Sequence, residues 1–169
     1  MYACQPSVSI LFDRFIAEYP DDFQIAQAYL QHAESLAHEG QLQPAIEAFQ
    51  KSLDAQRTFP NLRTQAWLLY PWLIVEHELE DMYAEANAVL DEFHEDTAVS
   101  FPIEEYRFFA VRSLLAQHKG DLAAAQSFAK RAMDASTQTH SSYRYHPDIG
   151  LVQSLSGHVH ERLAAMSSI

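Results

Sequence analysis

The amino-acid sequence predicts an all-α fold built from about three repeated helical hairpins. Apolar residues recur at helical spacing along most of the chain, and a short segment repeats about every 40 residues. Only four of the 169 residues are glycine, where an average frequency of about 7% would give roughly a dozen. Folds with many tight turns, and glycine-rich phosphate loops, are therefore disfavoured. Hydrophobic residues make up 48% of the chain, which is enough for a buried core.

The first helix is predicted at residues 7–19, where it would cap the N-terminal end of the fold. Pro20 ends this helix, and Asp21 and Asp22 offer side chains that can cap the next one. The apolar residues of the helix share one face and are Val8, Leu11, Phe12, Phe15 and Ile16.

Three segments after this helix align without gaps and indicate an internal repeat. The segments are residues 39–49, 80–90 and 119–129. Their small residues in register are Ala45, Ala86 and Ala125, which are 41 and 39 positions apart. Gly40 and Gly120 hold the same turn position, and Asp81 is expected to take that place in the second segment. Each turn joins two amphipathic stretches, so each segment is the centre of a helical hairpin that needs neighbours to bury its apolar stripe.

This pattern resembles the tetratricopeptide repeat. That family's unit has an aromatic and a small residue in helix A, a turn glycine, then a large apolar residue, an alanine and further packing residues in helix B. The first unit fills these places with Tyr29, Ala33, Gly40, Leu42, Ala45, Phe49 and Ser52. The second has Tyr70, Ile74, Asp81, Tyr83, Ala86, Leu90 and Phe93. The third has Phe109, Ser113, Gly120, Leu122, Ala125, Ala129 and Ala132. The period of about 40 exceeds the family's usual 34.

The resemblance implies a right-handed α-solenoid of antiparallel helix pairs, with N- and C-terminal capping helices, in a single domain over residues 1–169. The expected repeats are residues 22–57, 62–95 and 102–138, and the expected C-terminal capping helix is residues 147–166. Pro71 lies inside helix A of the second repeat. We expect it either to split that helix or to bend it and widen the groove beside it.

The resemblance also implies a peptide-binding groove on the inner face of the A helices. The residues at the family's inner positions are Gln27, Leu30, Glu34, His38, Leu68, Val75, Glu78, Arg107, Leu114 and His118. The Lys, Asn and Arg of the family's carboxylate clamp are absent, and the mixed acidic and apolar face suits an amphipathic or apolar peptide. The alternative is that some of these residues pack against a neighbouring or terminal helix.

Charge defines a second candidate site and excludes several partners. The chain has 23 acidic against 11 basic residues, and residues 64–106 contain eleven of the acids and no Lys or Arg. This excess disfavours nucleic acid and anionic membranes, which select for Lys and Arg. The acidic span is either a solubility face or a docking site for a basic partner. Its candidate contact residues are Glu85, Asp91, Glu92, Glu95 and Asp96.

A polar loop before the last helix is a third candidate. It gathers aromatic and basic side chains, either as a linker or as a recognition loop. Its candidate residues are Tyr143, Arg144 and His146.

No motif for chemistry is present. The sequence lacks a nucleophile elbow, a phosphate loop and a dinucleotide fingerprint, and His77-Glu78 lacks the second histidine of a zinc-protease motif. The single cysteine excludes an intramolecular disulfide and a Cys-based zinc site. We therefore expect no enzyme activity, no catalytic residue, no metal and no cofactor. With neither a signal peptide nor a membrane span recognisable, we expect a cytoplasmic protein.

The leading hypothesis is a non-catalytic protein–protein interaction module, an adaptor or chaperone that binds a basic or amphipathic peptide or helix. Two alternatives stay open at this point. One is a regulatory module, either an immunity-type inhibitor or a small-peptide sensor. The other is a structural oligomerisation unit, such as a homodimer.

Overall fold

The computed structural model describes residues 8–20, 22–59, 61–94, 101–141, 145–153 and 157–167. In these ranges the protein is all-α, with eight α-helices and no β-strand, so the predicted fold class is confirmed at this level. The helices are α1 Val8–Glu18, α2 Ile25–His38, α3 Leu42–Thr58, α4 Ala66–Glu76, α5 Tyr83–His94, α6 Pro102–His118, α7 Leu122–Ser136 and α8 His158–Ser167. None of the described helices is long and apolar enough to cross a membrane.

The chain divides into two compact units, Met1–Tyr70 and Pro71–Ile169, and the boundary falls inside α4. Pro71 does not split this helix, which continues to Glu76. A proline inside a helix removes one backbone hydrogen bond, and the burial of the ring offsets part of that loss. The organisation of the repeats into a single domain stays a prediction.

The first unit is built on α2, which packs against both α1 and α3. Its apolar side chains at helical spacing are buried: Ile25, Ala26, Ala28, Leu30, Ala33 and Leu36. The buried Ser52 hydroxyl of α3 donates a hydrogen bond to the Ala26 carbonyl of α2 over 2.7 Å. A small polar residue at this place lets the two helices approach closely and leaves no unpaired hydroxyl.

The second unit is built on the α6–α7 hairpin, and α8 packs on both of its helices. The buried Ser113 hydroxyl of α6 donates to the Ala125 carbonyl of α7 over 2.8 Å. The apolar side chains by which α8 enters the core are Val159, Leu163 and Met166. Burying these three contributes several kcal/mol at about 1.5–3 kcal/mol per side chain, which stabilises a helix of only ten residues.

The three hairpin turns share one backbone geometry. Gly40 and Gly120 end α2 and α6 in the left-handed region, with φ values of 75° and 79°. Each is followed by an amide that donates back to a carbonyl five residues earlier, as in a Schellman cap. In the second hairpin Glu78 has this role, with φ 52°, and the Leu79 amide donates to the Ile74 carbonyl.

The expectation that Asp81 replaces the turn glycine is therefore wrong. Asp81 lies in a single turn of 3-10 helix, Glu80–Met82, that the second hairpin inserts before α5. The gap-free alignment could not reveal this insertion, because the longer turn after Glu78 moves the equivalent position three residues upstream. Glu78 at positive φ carries a backbone cost of about 1–2 kcal/mol that glycine avoids.

The last helix begins at His158, eleven residues after the expected start at Pro147. Turns lie within residues 145–150 instead, and residues 151–153 have no regular secondary structure. The Ser141 amide donates to the Pro147 carbonyl over 2.7 Å, and the Ile103 amide donates to the Gly150 carbonyl over 2.8 Å. Gly150 and Gly157 both have positive φ, which a right-handed helix cannot accommodate. A backbone hydrogen bond thus joins this segment to the start of α6.

Candidate functional site

The predicted groove residues divide by burial. Four apolar members belong to the core of their units, with exposed fractions of 4% or less: Leu30, Leu68, Val75 and Leu114. Four polar members are exposed: Glu34, His38, Glu78 and His118. The remaining two, Gln27 and Arg107, are half-buried. The apolar part of the proposed peptide face therefore packs within the protein, and the peptide-binding role of this face stays a prediction.

Aromatic packing explains this burial in the second unit. The rings of Trp72 on α4 and Tyr106 on α6 lie 5.9 Å apart, and the Arg107 guanidinium lies 5.9 Å from the Trp72 ring centroid. The face of α6 that was expected to meet a peptide thus meets α4. From sequence, a stripe that packs on a neighbouring helix and a stripe that lines a groove have the same spacing.

Helix α8 covers a further part of α6. Arg162 donates to the Gln117 side chain over 2.6 Å and forms a 3.2 Å ion pair with Glu78. The Tyr106 hydroxyl lies 3.4 Å from Nδ1 of His160. Burial raises the pKa of Tyr106 to about 12, so this phenol is neutral at physiological pH. These contacts hold α8 along α6, from Tyr106 near its start to Gln117 near its end, and against the turn after α4.

The other two predicted sites are described only in part. Glu95, Asp96, Tyr143 and Arg144 lie outside the described residues. His146 is exposed, and its carbonyl accepts a hydrogen bond from the Ser141 hydroxyl over 3.0 Å.

The described acidic candidates all lie on α5. Glu85, Asp91 and Glu92 are exposed there, and Asp91 forms a 2.6 Å ion pair with Arg112 of α6. One carboxylate of the acidic patch is therefore paired with another helix of the second unit. Docking of a basic partner on the patch stays a prediction.

One concave feature of the described structure was not predicted. A cleft of about 720 Å³ opens between α5, α6 and α7, and we call it the α6 cleft. Helix α6 contributes its central stripe: Glu105, Phe108, Phe109, Arg112, Leu115, Ala116 and Lys119. The other helices and the turn before α7 add Asn87, Asp91, Asp121, Ala124, Phe128 and Arg131. With about 3.6 residues per turn, this stripe lies on roughly the opposite side of α6 from Arg107, Leu114 and His118.

Three aromatic rings line the α6 cleft, of which Phe128 is half-buried and Phe108 and Phe109 are buried with only 4% and 6% of their surface exposed. The Phe109 and Phe128 rings are stacked with centroids 6.0 Å apart, and Phe108 meets Phe109 edge to face at 5.1 Å. The Arg131 guanidinium lies 3.7 Å from the Phe109 ring centroid, within the range of a cation–π contact. Apolar walls with a few placed charges are typical of sites that bind ligands.

Some of the charged side chains at the rim of the cleft form ion pairs or hydrogen bonds with other described residues, and others form no ion pair with them. Arg112 donates to Asn87 over 3.0 Å and pairs with Asp91. Asp121 accepts the Ala124 amide and caps α7. Among the described residues, Lys119 and Arg131 have no carboxylate within ion-pair distance. The cleft thus presents two cations that are available to a ligand.

Sequence reasoning missed this site because its aromatic residues have helical spacing and look like core. The signal was the alternation of Phe108, Arg112 and Lys119, which puts cations on the same stripe as aromatic rings. Within the described ranges, no cluster of three or more His, Cys, Asp or Glu side chains could hold a metal ion.

Comparisons with protein-family models, with curated proteins and with solved structures give no match for this chain.

Proposed function

We propose that this chain is a non-catalytic, tetratricopeptide-like module that binds a segment of another protein in the α6 cleft. The observation that carries the proposal is the cleft itself. Its volume of about 720 Å³ has room for several side chains, its wall is aromatic, and its rim is charged. A surface of this kind suits a polypeptide, whose apolar side chains fill the cleft while its polar groups meet the rim.

The repeat architecture is part of the same proposal. The three alanines in register, Ala45, Ala86 and Ala125, are all 1% exposed or less. All three hairpin turns use a left-handed residue and the same capping hydrogen bond. These shared features support three equivalent helix pairs in a right-handed α-solenoid. Short side chains at the helix crossing and a common turn are what stacking of such pairs requires.

The contacts of α8 favour the α6 cleft over the inner face as the binding site. In the second unit, Tyr106, Ser113 and Gln117 all contact residues of α8. A peptide on the stripe formed by these three residues would have to displace α8, whose Leu163 is fully buried. The α6 cleft needs no such rearrangement, so binding there avoids the cost of undocking a helix.

A blocked cleft tests the proposal. Ala124 lines the α6 cleft, whereas its neighbour Ala123 is exposed and does not. A random peptide library displayed on phage is selected on the wild-type chain, and the enriched peptides are measured against Ala124→Trp and Ala123→Trp. We expect Ala124→Trp to abolish their binding and Ala123→Trp to leave it intact, since only the first indole fills the cleft.

Two outcomes would contradict the proposal. One is that no peptide is enriched, and the other is that all enriched peptides bind Ala124→Trp as well as they bind the wild type. Light scattering on the same variants addresses the oligomerisation alternative. A dimer that Ala124→Trp converts to a monomer would show that the cleft joins two copies of the chain instead.

A further inference from the structure

We infer that the α6 cleft selects an acidic polypeptide segment, in which a carboxylate side chain lies next to an aromatic or aliphatic one. This inference rests on the proposed function and names the chemistry of its partner. It runs against the overall charge of the chain, which is −12. The observations that carry it are the pairing of the charges at the rim and the position of Arg131 on its aromatic ring.

The carboxylates of the cleft are engaged within the protein. Asp91 accepts both Asn87 and Arg112, and the Arg112 guanidinium is only 17% exposed. Asp121 accepts the backbone amide of Ala124. Glu105 has the Gln138 amide at 3.5 Å, which is the weakest of these contacts. A basic ligand would have to compete with these internal donors.

The two remaining cations are differently placed. Arg131 uses the flat face of its guanidinium against Phe109, at 3.7 Å from the ring centroid. The N–H donors of a guanidinium lie in its plane, so a stacked arginine keeps them for a carboxylate. Lys119 ends α6 and is exposed. Neither side chain has an ion pair within the described part of the chain, so a ligand carboxylate would be their first anionic partner there.

The aromatic wall adds the second half of the specificity. Phe109 contacts both Arg131 and the half-buried Phe128 ring, so a carboxylate held by Arg131 sits close to an apolar surface. A ligand that offers an apolar side chain beside its acid gains from burial as well as from charge. An isolated anion would gain only from the charges, which water and salt screen at an exposed rim.

The selection described above tests this chemistry through the composition of the peptides that require an open cleft. We expect Asp or Glu next to Phe, Tyr, Trp or Leu to be enriched among them. Arg131→Glu should then weaken a synthetic copy of such a peptide by about tenfold or more, since reversal turns attraction into repulsion. Lys130→Glu is the matched control, because it makes the same charge change one residue away and outside the cleft. It should change the affinity less than about twofold.

Further measurements separate the sources of failure. Replacing the peptide's carboxylate by its amide, or adding salt, should weaken binding to wild type but not to Arg131→Glu. An acidic partner is excluded if the peptides that require an open cleft contain no acidic residues, or if they bind Arg131→Glu as tightly as they bind the wild type. The proposed function stands in that case. Enrichment of Lys and Arg would overturn the inference in favour of a basic partner. If no peptide depends on the open cleft, the proposed function itself fails.

Discussion

The two sides of α6 differ in whether another helix covers them. On one side Tyr106, Ser113 and Gln117 meet His160, Met166 and Arg162 of α8, and the surface is closed. On the other side the α6 cleft stays open within the described part of the chain, where Lys119 and Arg131 have no ion pair. Each side carries at least one aromatic residue, so the presence of aromatic residues does not distinguish them. The difference lies in whether a later helix returns to cover the stripe.

The closed side also contains the strained backbone of the second unit. Glu78 adopts positive φ and pairs with Arg162, and Gly150 makes a close approach to Phe101 before α8 begins. The open side has no such features among its described residues. The burial of Val159, Leu163 and Met166 of α8 offsets the cost of this strain.

Truncating the anchor of α8 should give the largest effect. Leu163 is fully buried, so Leu163→Ala should lower the free energy of unfolding by about 2–5 kcal/mol, as expected for a cavity in a packed core. Leu122→Ala is the matched control, because Leu122 is 64% exposed, and it should cost less than about 0.5 kcal/mol. Denaturant unfolding followed by circular dichroism measures both. Equal losses would show that α8 does not close this side of α6.

A methyl group at Gly150 should give the next largest effect. A Cβ atom there would lie 2.3 Å from Cδ1 of Phe101, and the backbone has φ 72°. We expect Gly150→Ala to cost about 2 kcal/mol or more, from the clash and the strained backbone together. Gly120→Ala has a similar φ of 79° and open space around its Cβ. Gly120→Ala therefore measures the cost of the backbone conformation alone. Equal melting temperatures for the two variants would exclude the clash with Phe101.

Substitutions at Glu78 should reverse the usual order of helix propensity. With φ 52° at this position, glycine relieves strain that alanine keeps, and both lose the exposed ion pair with Arg162 equally. Glu78→Gly should therefore be more stable than Glu78→Ala by about 1 kcal/mol. Chemical denaturation of the pair measures this difference. A more stable alanine variant would mean that the turn is not left-handed in solution.

At neutral pH, substitution of Tyr106 should change the free energy of unfolding least among these substitutions. A distinct effect is expected at high pH. Burial raises the pKa of this phenol from 10.0 to about 12 in the folded protein. Between these two pKa values the folded state keeps the phenol proton that the unfolded state has lost. The free energy of unfolding therefore falls as pH rises through this range. This contribution is complete below pH 10 and is lost as pH rises towards 12.

Tyr106→Phe lacks this titration, while the other tyrosines are common to both proteins. The free energy of unfolding of wild type should thus fall relative to Tyr106→Phe between pH 10 and pH 12. Urea titrations of both proteins across this range measure the difference. A difference independent of pH would indicate that water reaches the phenol and that α8 covers Tyr106 poorly.

Most of the helices were predictable, because helical spacing and capping residues act over a few residues of sequence. The hairpins at Gly40 and Gly120 are the clearest cases, since glycine at a helix end is favoured by local sterics alone. The second turn and the start of α8 were misplaced. The left-handed residue of the second turn is Glu78, which a search for glycine does not reveal. The segment before α8 is held by a hydrogen bond from the Ile103 amide to the Gly150 carbonyl, which joins residues far apart in sequence.

The candidate site was less predictable than the fold. Leu114 and Phe109 have the same hydrophobic character and the same helical spacing, and both are buried, yet only Phe109 also lines the cleft. Which stripe is covered depends on where α4, α5 and α8 pack, and no local pattern records that. The unpaired state of Lys119 and Arg131 likewise depends on which carboxylates come within 4 Å of them in space.

The sequence by itself determined the all-α class, the helical hairpins and the absence of recognisable catalytic motifs, because each follows from residue types at short, regular spacing. Tertiary structure alone decided which face of α6 is open, which charges are paired, and that Glu78 takes the place of a turn glycine. The physical reason is that burial and ion pairing are set by neighbours in space. Two stripes with the same periodicity become a core and a cleft only when the other helices have packed.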